Sequence, residues 1–209
     1  MQKVFALIAD IVDSRSMENR SVLQRHLKNT LMTLSESSPD SYLSPLTLTL
    51  GDEFQAVYAD FSVVLTDMLD ILALLAPYKL RIAVAYGALS TDINPRAALE
   101  MDGPAFNLAR DCMETLKKQH TTSIRLEGLA ADRLALINTC LTLAGNALSD
   151  WKPATFRIAC GLKEGNSVQE IAEKLGVTPR AVNKNIATNH IRDILTSLDV
   201  VTGEVQGTS

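Results

Sequence analysis

Histidine and cysteine are scarce, three of each in 209 residues, and neither is grouped. Cys112, Cys140 and Cys160 are far apart, odd in number and outside CxxC spacing. That pattern predicts buried free thiols in a reducing compartment rather than a disulfide framework, and a cytoplasmic location is expected. His26, His120 and His190 share no spacing, so no histidine-based metal centre is expected. Long apolar runs are also missing. The nearest candidate, residues 61–76, is broken by Asp67 and Asp70, and there is no charged leader with a cleavage site, so neither a membrane span nor an export signal is expected. A basic excess is absent too, with 20 Lys and Arg against 24 Asp and Glu. This disfavours non-specific phosphate binding by the whole molecule. The imbalance is uneven: residues 1–150 hold 13 basic and 18 acidic side chains, residues 151–209 hold 7 and 6. Any nucleic-acid contact is therefore expected in the C-terminal segment. No internal repeat or low-complexity stretch is evident.

What is present is enough apolar material, 46% of residues, for one full core and a small second module. The organising stretch is LTLTLGDEFQAVY, residues 46–58. Alternation in Thr47-Leu48-Thr49-Leu50 and again at Phe54, Ala56 and Tyr58 predicts two half-buried strands joined through Gly51-Asp52. An apolar strand over residues 3–12 ends near Asp10. Adjacent strand ends would gather Asp10 and Asp52 at one edge of the sheet, where paired carboxylates suit Mg²⁺ or Mn²⁺ with a phosphate-bearing ligand. The alternative is that Asp52 is a turn residue and Asp10 a strand terminator or helix cap.

Leu23, Leu27, Leu31 and Leu34 recur at helical spacing and predict a helix from about residue 16 to SESSPDS. After the hairpin, Asp60 is placed to cap a buried helix to residue 75, stopped by Pro77. Residues 78–89 predict another strand. The order strand, helix, strand, strand, helix, strand is that of a ferredoxin-like α/β sandwich. Gly103-Pro104 then starts a helix with Ala105, Leu108, Ala109, Cys112 and Leu116 on its core face and Asn107 and Arg110 on a neighbouring one. Residues 122–126 predict an added strand and 130–148 a long amphipathic helix, able to connect or dimerise domains. The resulting division is an α/β domain over 1–127, a connecting helix over 128–150 and an all-α domain over 151–209.

In that last part, residues 153–163 predict a helix ending at Gly165. Ser167-Val168-Gln169-Glu170 has the form of a capping box, Gly176 turns the chain, and Thr178-Pro179 provides an N-cap and first-turn proline. A last helix over 179–189 is expected to bury Ala181, Val182 and Ile186 and to present Arg180, Asn183, Lys184 and Asn189 outward. The string SVQEIAEKLGVTPRAVNKNI resembles the helix-turn-helix of bacterial transcription regulators and sigma factors. That resemblance implies DNA contacts from Thr178, Arg180, Asn183 and Lys184. A three-helix module used for protein contact or dimerisation is the other reading.

Across LIADIVDSR, LTLGDEFQAVY, RIAVAYGALST and INPRAALEMDGPAFNLAR, covering nearly the whole chain, the sequence resembles the SatD family. At greater distance the same blocks, in the same order, are similar to class III nucleotidyl cyclases and their diguanylate cyclase relatives. This resemblance implies a ferredoxin-like cyclase-type domain with metal ligands at Asp10 and Asp52, supplemented by Asp13 and Glu53. It also implies nucleotide contacts at Ile11, Gly51, Asp102, Asn107 and Arg110. Departures bear on activity: Leu50 stands for the first glycine of GGDEF, Leu48 for a base-reading lysine, Asp111 for a charge-stabilising arginine, and Asp13 for a glycine. The expected role is a DNA-binding transcriptional regulator, possible as a homodimer, whose cyclase-like domain binds metal and nucleotide. A metal-dependent nucleotidyl cyclase is the alternative.

Overall fold

The computed structural model describes residues 2–14, 17–119 and 124–207. The expected helix start at Ser16, the strand residues Thr122 and Ser123, and His120 lie outside them. β1 (Lys3–Ile11), α1 (Arg20–Ser37), β2 (Ser44–Leu50), β3 (Glu53–Tyr58), α2 (Phe61–Leu75) and β4 (Leu80–Ala88) follow in the anticipated order. β5 (Ile124–Glu127) pairs parallel to β4, giving a sheet of order β2-β3-β1-β4-β5. The pairs β1–β3, β1–β4 and β2–β3 are antiparallel, as in a ferredoxin-like sandwich. β1 is the middle strand and is covered on both faces. That is why its apolar run is continuous and every residue after Lys3 is buried.

Strand alternation divides the core into two layers. Phe5, Leu7, Ala9 and Ile11 join Phe54, Tyr58, Ile82 and Val84 beneath α1 and α2. Val4, Ala6, Ile8, Val57, Ala83 and Ala85 face α3 (Pro104–Lys118), which covers the second face together with Leu89, Ala98 and Met101 of the segment before it. Small residues let α3 approach closely, and a Cβ at Gly87 would stand 2.9 Å from the Ala105 backbone nitrogen. The buried stripe of α3 is Ala105, Phe106, Ala109, Cys112, Met113 and Leu116. Leu108, expected on that face, is 37% exposed because Phe106 and Met113 fill the flank instead.

The C-terminal helices pack on the other side. α4 (Ala131–Ser149) lies against β5, where the Asn138 amide accepts from the Leu126 N–H and donates to its carbonyl, both at 2.8 Å. This satisfies groups that an edge strand would otherwise leave open. α5 (Pro153–Lys163), α6 (Val168–Leu175), α7 (Pro179–Thr188) and α8 (Ile191–Gln206) complete the chain. The helix expected to be the last ends near residue 189, and the chain continues into α8, which buries Ile191, Leu198, Val201 and Val205 at helical spacing. His190, in the left-handed conformation at φ 51°, separates it from α7. In α7, Val182 and Ile186 are buried but Ala181 is exposed, because the helix rests on its neighbours by a narrow stripe. The apolar cluster continues from the sheet through Ile137, Phe156, Ile171, Val182 and Val205 without a break at residue 150. α5 and α8 both contact α2. No helix among the described residues is long and apolar enough to cross a membrane.

Asp60 caps α2 as expected, accepting from the Ser62 N–H at 2.7 Å. Within that helix Asp67 is buried and accepts from the Tyr58 hydroxyl at 3.0 Å. Burial pushes its carboxyl above the ordinary 3.8, with the neighbouring Asp70 adding to the rise while the tyrosine hydroxyls beside it pull the other way. A carboxyl raised in the folded state costs stability as pH climbs from below 3.8 through the raised value, because the folded chain then binds more protons than the unfolded one. Thermal unfolding across acidic to neutral pH should therefore show Asp67→Asn gaining on the wild type as pH rises. A constant difference across that range would contradict the assignment.

Candidate functional site

Strand register sets the site. Glu53 of β3 lies opposite Asp10 of β1, and Asp10 lies opposite Arg81 of β4, so the three form a row across the sheet at one end. They point to the α3 face, as alternation from Ile8 and Ala83 requires. Asp10 is 6% exposed and Arg81 8%. A carboxylate so buried is tolerated only with close counter-charge. Arg81 Nη1 donates to both Asp10 oxygens at 3.3 and 3.4 Å, and Lys117 Nζ from the last turn of α3 stands 3.6 Å from Oδ2. The same ammonium is 3.5 Å from Glu53 and 3.9 Å from Glu114. One Arg81 nitrogen serves both Asp10 oxygens, and its buried Nε has no hydrogen-bond partner among the described residues.

Asp52 occupies the hairpin turn. Gly51 takes φ 70°, a left-handed conformation that favours glycine, and its neighbourhood is full, since a Cβ there would lie 2.9 Å from Arg20 Nη2. The Ser14 hydroxyl donates to Asp52 Oδ2 at 2.6 Å, and Arg20 Nη2 from the start of α1 is 3.9 Å from Oδ1. Asp10, Asp13, Asp52 and Glu53 all border one open cleft of about 570 Å³, with Ile11 in its wall and Leu50 at its rim. Asp13 is exposed at φ 55°, a conformation that aspartate accepts more readily than most residues.

These four carboxylates, with Glu114 of α3 also in the lining, and the Ser14 hydroxyl are hard oxygen donors of the kind that Mg²⁺ and Mn²⁺ prefer. The arrangement nevertheless does not fit a divalent ion. Asp10 and Glu53 are turned to Lys117, Asp52 to Ser14 and Arg20, and no three His, Cys, Asp or Glu among the described residues converge as a metal-binding group. The acids that the sequence assembled are together, but the protein's own cations stand among them.

The other expected nucleotide contacts are elsewhere. Arg110 pairs with Asp102 at 3.6 Å and lies over the Phe106 ring, and Asn107 is exposed beside it. Seven residues of α3, about 10 Å of helix, separate Arg110 from Lys117. Within one chain, Asp102, Asn107 and Arg110 therefore do not meet the acidic row. In the C-terminal part the capping box is formed, Gly176 is left-handed at φ 65°, and the Thr178 hydroxyl accepts from the Ala181 N–H at 3.2 Å. These bonds fix a turn between α6 and α7 that leaves Arg180, Asn183 and Lys184 exposed.

Sequence reasoning missed Ser14, Arg20, Arg81, Glu114 and Lys117. Arg81 had a signal, a charge inside the otherwise apolar LRIAVAY, whereas Lys117 looked like an ordinary basic residue at a helix end. Breaking the buried pair should be costly: Arg81→Ala should lose up to about 3–5 kcal/mol, the range for leaving a buried charge unpaired, less what Lys117 still offsets. Asp10→Asn with Arg81→Met should recover much of that in chemical denaturation. Equal losses in the single and double variants would mean that the pair is not the stabilising unit.

A family model described as the SatD family matches residues 4–200. No curated protein matches the sequence. Among solved structures the chain is similar to a bacterial light-regulated adenylyl cyclase, with 19% identity, a TM-score of 0.38, and 56% of this chain and 40% of that one covered. It is also similar to the guanylyl cyclase domain of a RhoGC fusion protein from the aquatic fungus Blastocladiella emersonii, with 12% identity, a TM-score of 0.43, and 60% and 79% covered. A regulator of polyketide synthase expression from Bifidobacterium adolescentis aligns over 97% of this chain and 86% of its own, with 14% identity and a TM-score of 0.29.

Proposed function

The chain belongs to the SatD family, and we propose that it is a DNA-binding regulator of transcription whose cyclase-like half senses a nucleotide rather than turning one over. The observation that carries this reading is the outer face of α7. Arg180 and Lys184 are four residues apart and so share one side of the helix, with Asn183 beside them, all three exposed. Side chains of these types on the first turns of a helix reach base edges or phosphates when that helix enters a major groove. The turn before them is held by the capping box at Ser167 and Glu170 and by the Thr178 cap, so the face is presented in a fixed direction. As a homodimer, two such helices would meet successive half-sites about 34–36 Å apart.

The sensor reading rests on the cleft and on α2. A ligand changes DNA affinity only if it favours one of two states. α2 packs on β1 and β3 and also on α5 and α8, which makes it one mechanical link between the cleft's sheet and the C-terminal helices, beside α4 between β5 and α8. A second reading, a metal-dependent nucleotidyl cyclase, draws on Asp10 and Asp52 bordering one cleft. Against it stand Leu48 and Asp111 and the distance of Asn107 and Arg110 from the acidic row.

The test is selection of DNA fragments with the purified full chain, followed by anisotropy titration. A preferred fragment is expected. Arg180→Ala and Lys184→Ala should each weaken it by about 1–3 kcal/mol if they read bases, and should lower the salt dependence if they meet phosphate. No preferred fragment, with or without nucleoside triphosphates, would overturn the regulator reading.

A further inference from the structure

We infer that Lys117 is the resident cation of the cleft, and that it keeps a free divalent ion out of a site whose acids would otherwise take one. The ammonium stands among three carboxylates, 3.6 Å from Asp10, 3.5 Å from Glu53 and 3.9 Å from Glu114. It comes from α3, whereas Asp10 and Glu53 come from adjacent strands, so α3 delivers a positive charge onto the acidic row from above. The separations suit an ammonium and not a small divalent ion. Mg²⁺ requires its oxygens at about 2.0–2.1 Å, so each carboxylate would have to close in by more than about 1 Å onto a point that Lys117 already occupies. Asp10 cannot turn away freely, because Arg81 Nη1 holds both its oxygens.

Electrostatics favours the same occupant. Asp10 is 6% exposed, and Arg81 and Lys117 together offset two of the three negative charges on Asp10, Glu53 and Glu114. A divalent ion entering beside them would meet two fixed positive charges at short range and would shed part of a tightly held water shell. With Lys117 removed, Arg81, paired with Asp10, is the compensating cation left at these acids among the described residues. The remaining negative charge, on hard oxygen donors lining an open cleft, is the chemistry that takes Mg²⁺ or Mn²⁺.

The experiment uses the full chain and Mn²⁺ alone, with bound metal read by the loss of the free Mn²⁺ electron-spin signal and by the shift in unfolding temperature. Wild type and Lys117→Arg should leave Mn²⁺ free and should not shift. Lys117→Met and Lys117→Gln should both bind it and unfold at higher temperature when it is present, and Asp10→Asn added to Lys117→Met should abolish the effect. Using two uncharged replacements keeps the test open if one fails to fold. Wild type binding Mn²⁺ as tightly as Lys117→Met would overturn the inference, and so would a folded Lys117→Met or Lys117→Gln that leaves Mn²⁺ free.

Discussion

A carboxylate buried at the end of the middle strand governs this molecule. Asp10 sits where β1 meets β3 and β4, under α3, with almost no access to water. Leaving it bare would cost several kcal/mol, so its neighbours are constrained: Arg81 at the matching position of β4, Lys117 at the end of α3, and Glu53 held by the same lysine. These contacts pin the direction of α3 at one end of the sheet, while Gly87 and the small residues around it fix the other end by close packing. The cleft takes its shape and its charge from that one requirement.

The opposite face is organised by α2. Its length is buried between the sheet and the C-terminal helices, and it also carries polar contacts to α5. Lys163 donates to Thr66 at 2.7 Å, and Cys160 approaches Asp70 at 3.6 Å. Burial pushes the Cys160 thiol up to about 12, with the charge on Asp70 adding to the rise. The helices after residue 150 are thus joined to the sheet by a continuous apolar cluster edged with hydrogen bonds, so the division expected near that residue is not a gap in packing.

The βαββαβ order, the Gly51-Asp52 hairpin, the Asp60 cap and the capping box at Ser167 were legible because each rests on local chemistry: alternation, a turn residue, a short polar side chain before an apolar run. That Asp10 and Asp52 border one cleft was legible too, since strand order determines which ends are adjacent, whereas Asp13 and Glu53 were expected there only from the cyclase resemblance. What answered those charges was not. Lys117 reaches Asp10 only because α3 crosses the second face of the sheet, a placement that no periodicity within residues 104–118 reveals. Leu108 was misplaced for a related reason, since a helical stripe has two flanks and tertiary packing decided for Phe106 and Met113. α8 carries its own signal in the helical spacing of Ile191, Leu198, Val201 and Val205, beyond the left-handed break at His190.

Whether an ammonium or a metal ion lies between Asp10 and Glu53 decides the chemistry of the cleft. Crystals of the full chain soaked in Mn²⁺ and measured at the manganese absorption edge test it most directly. An anomalous map without a peak there, and with the Lys117 ammonium in density beside both carboxylates, is the predicted result. A manganese peak bridging Asp10 and Glu53 or Asp52, with Lys117 displaced, would contradict it.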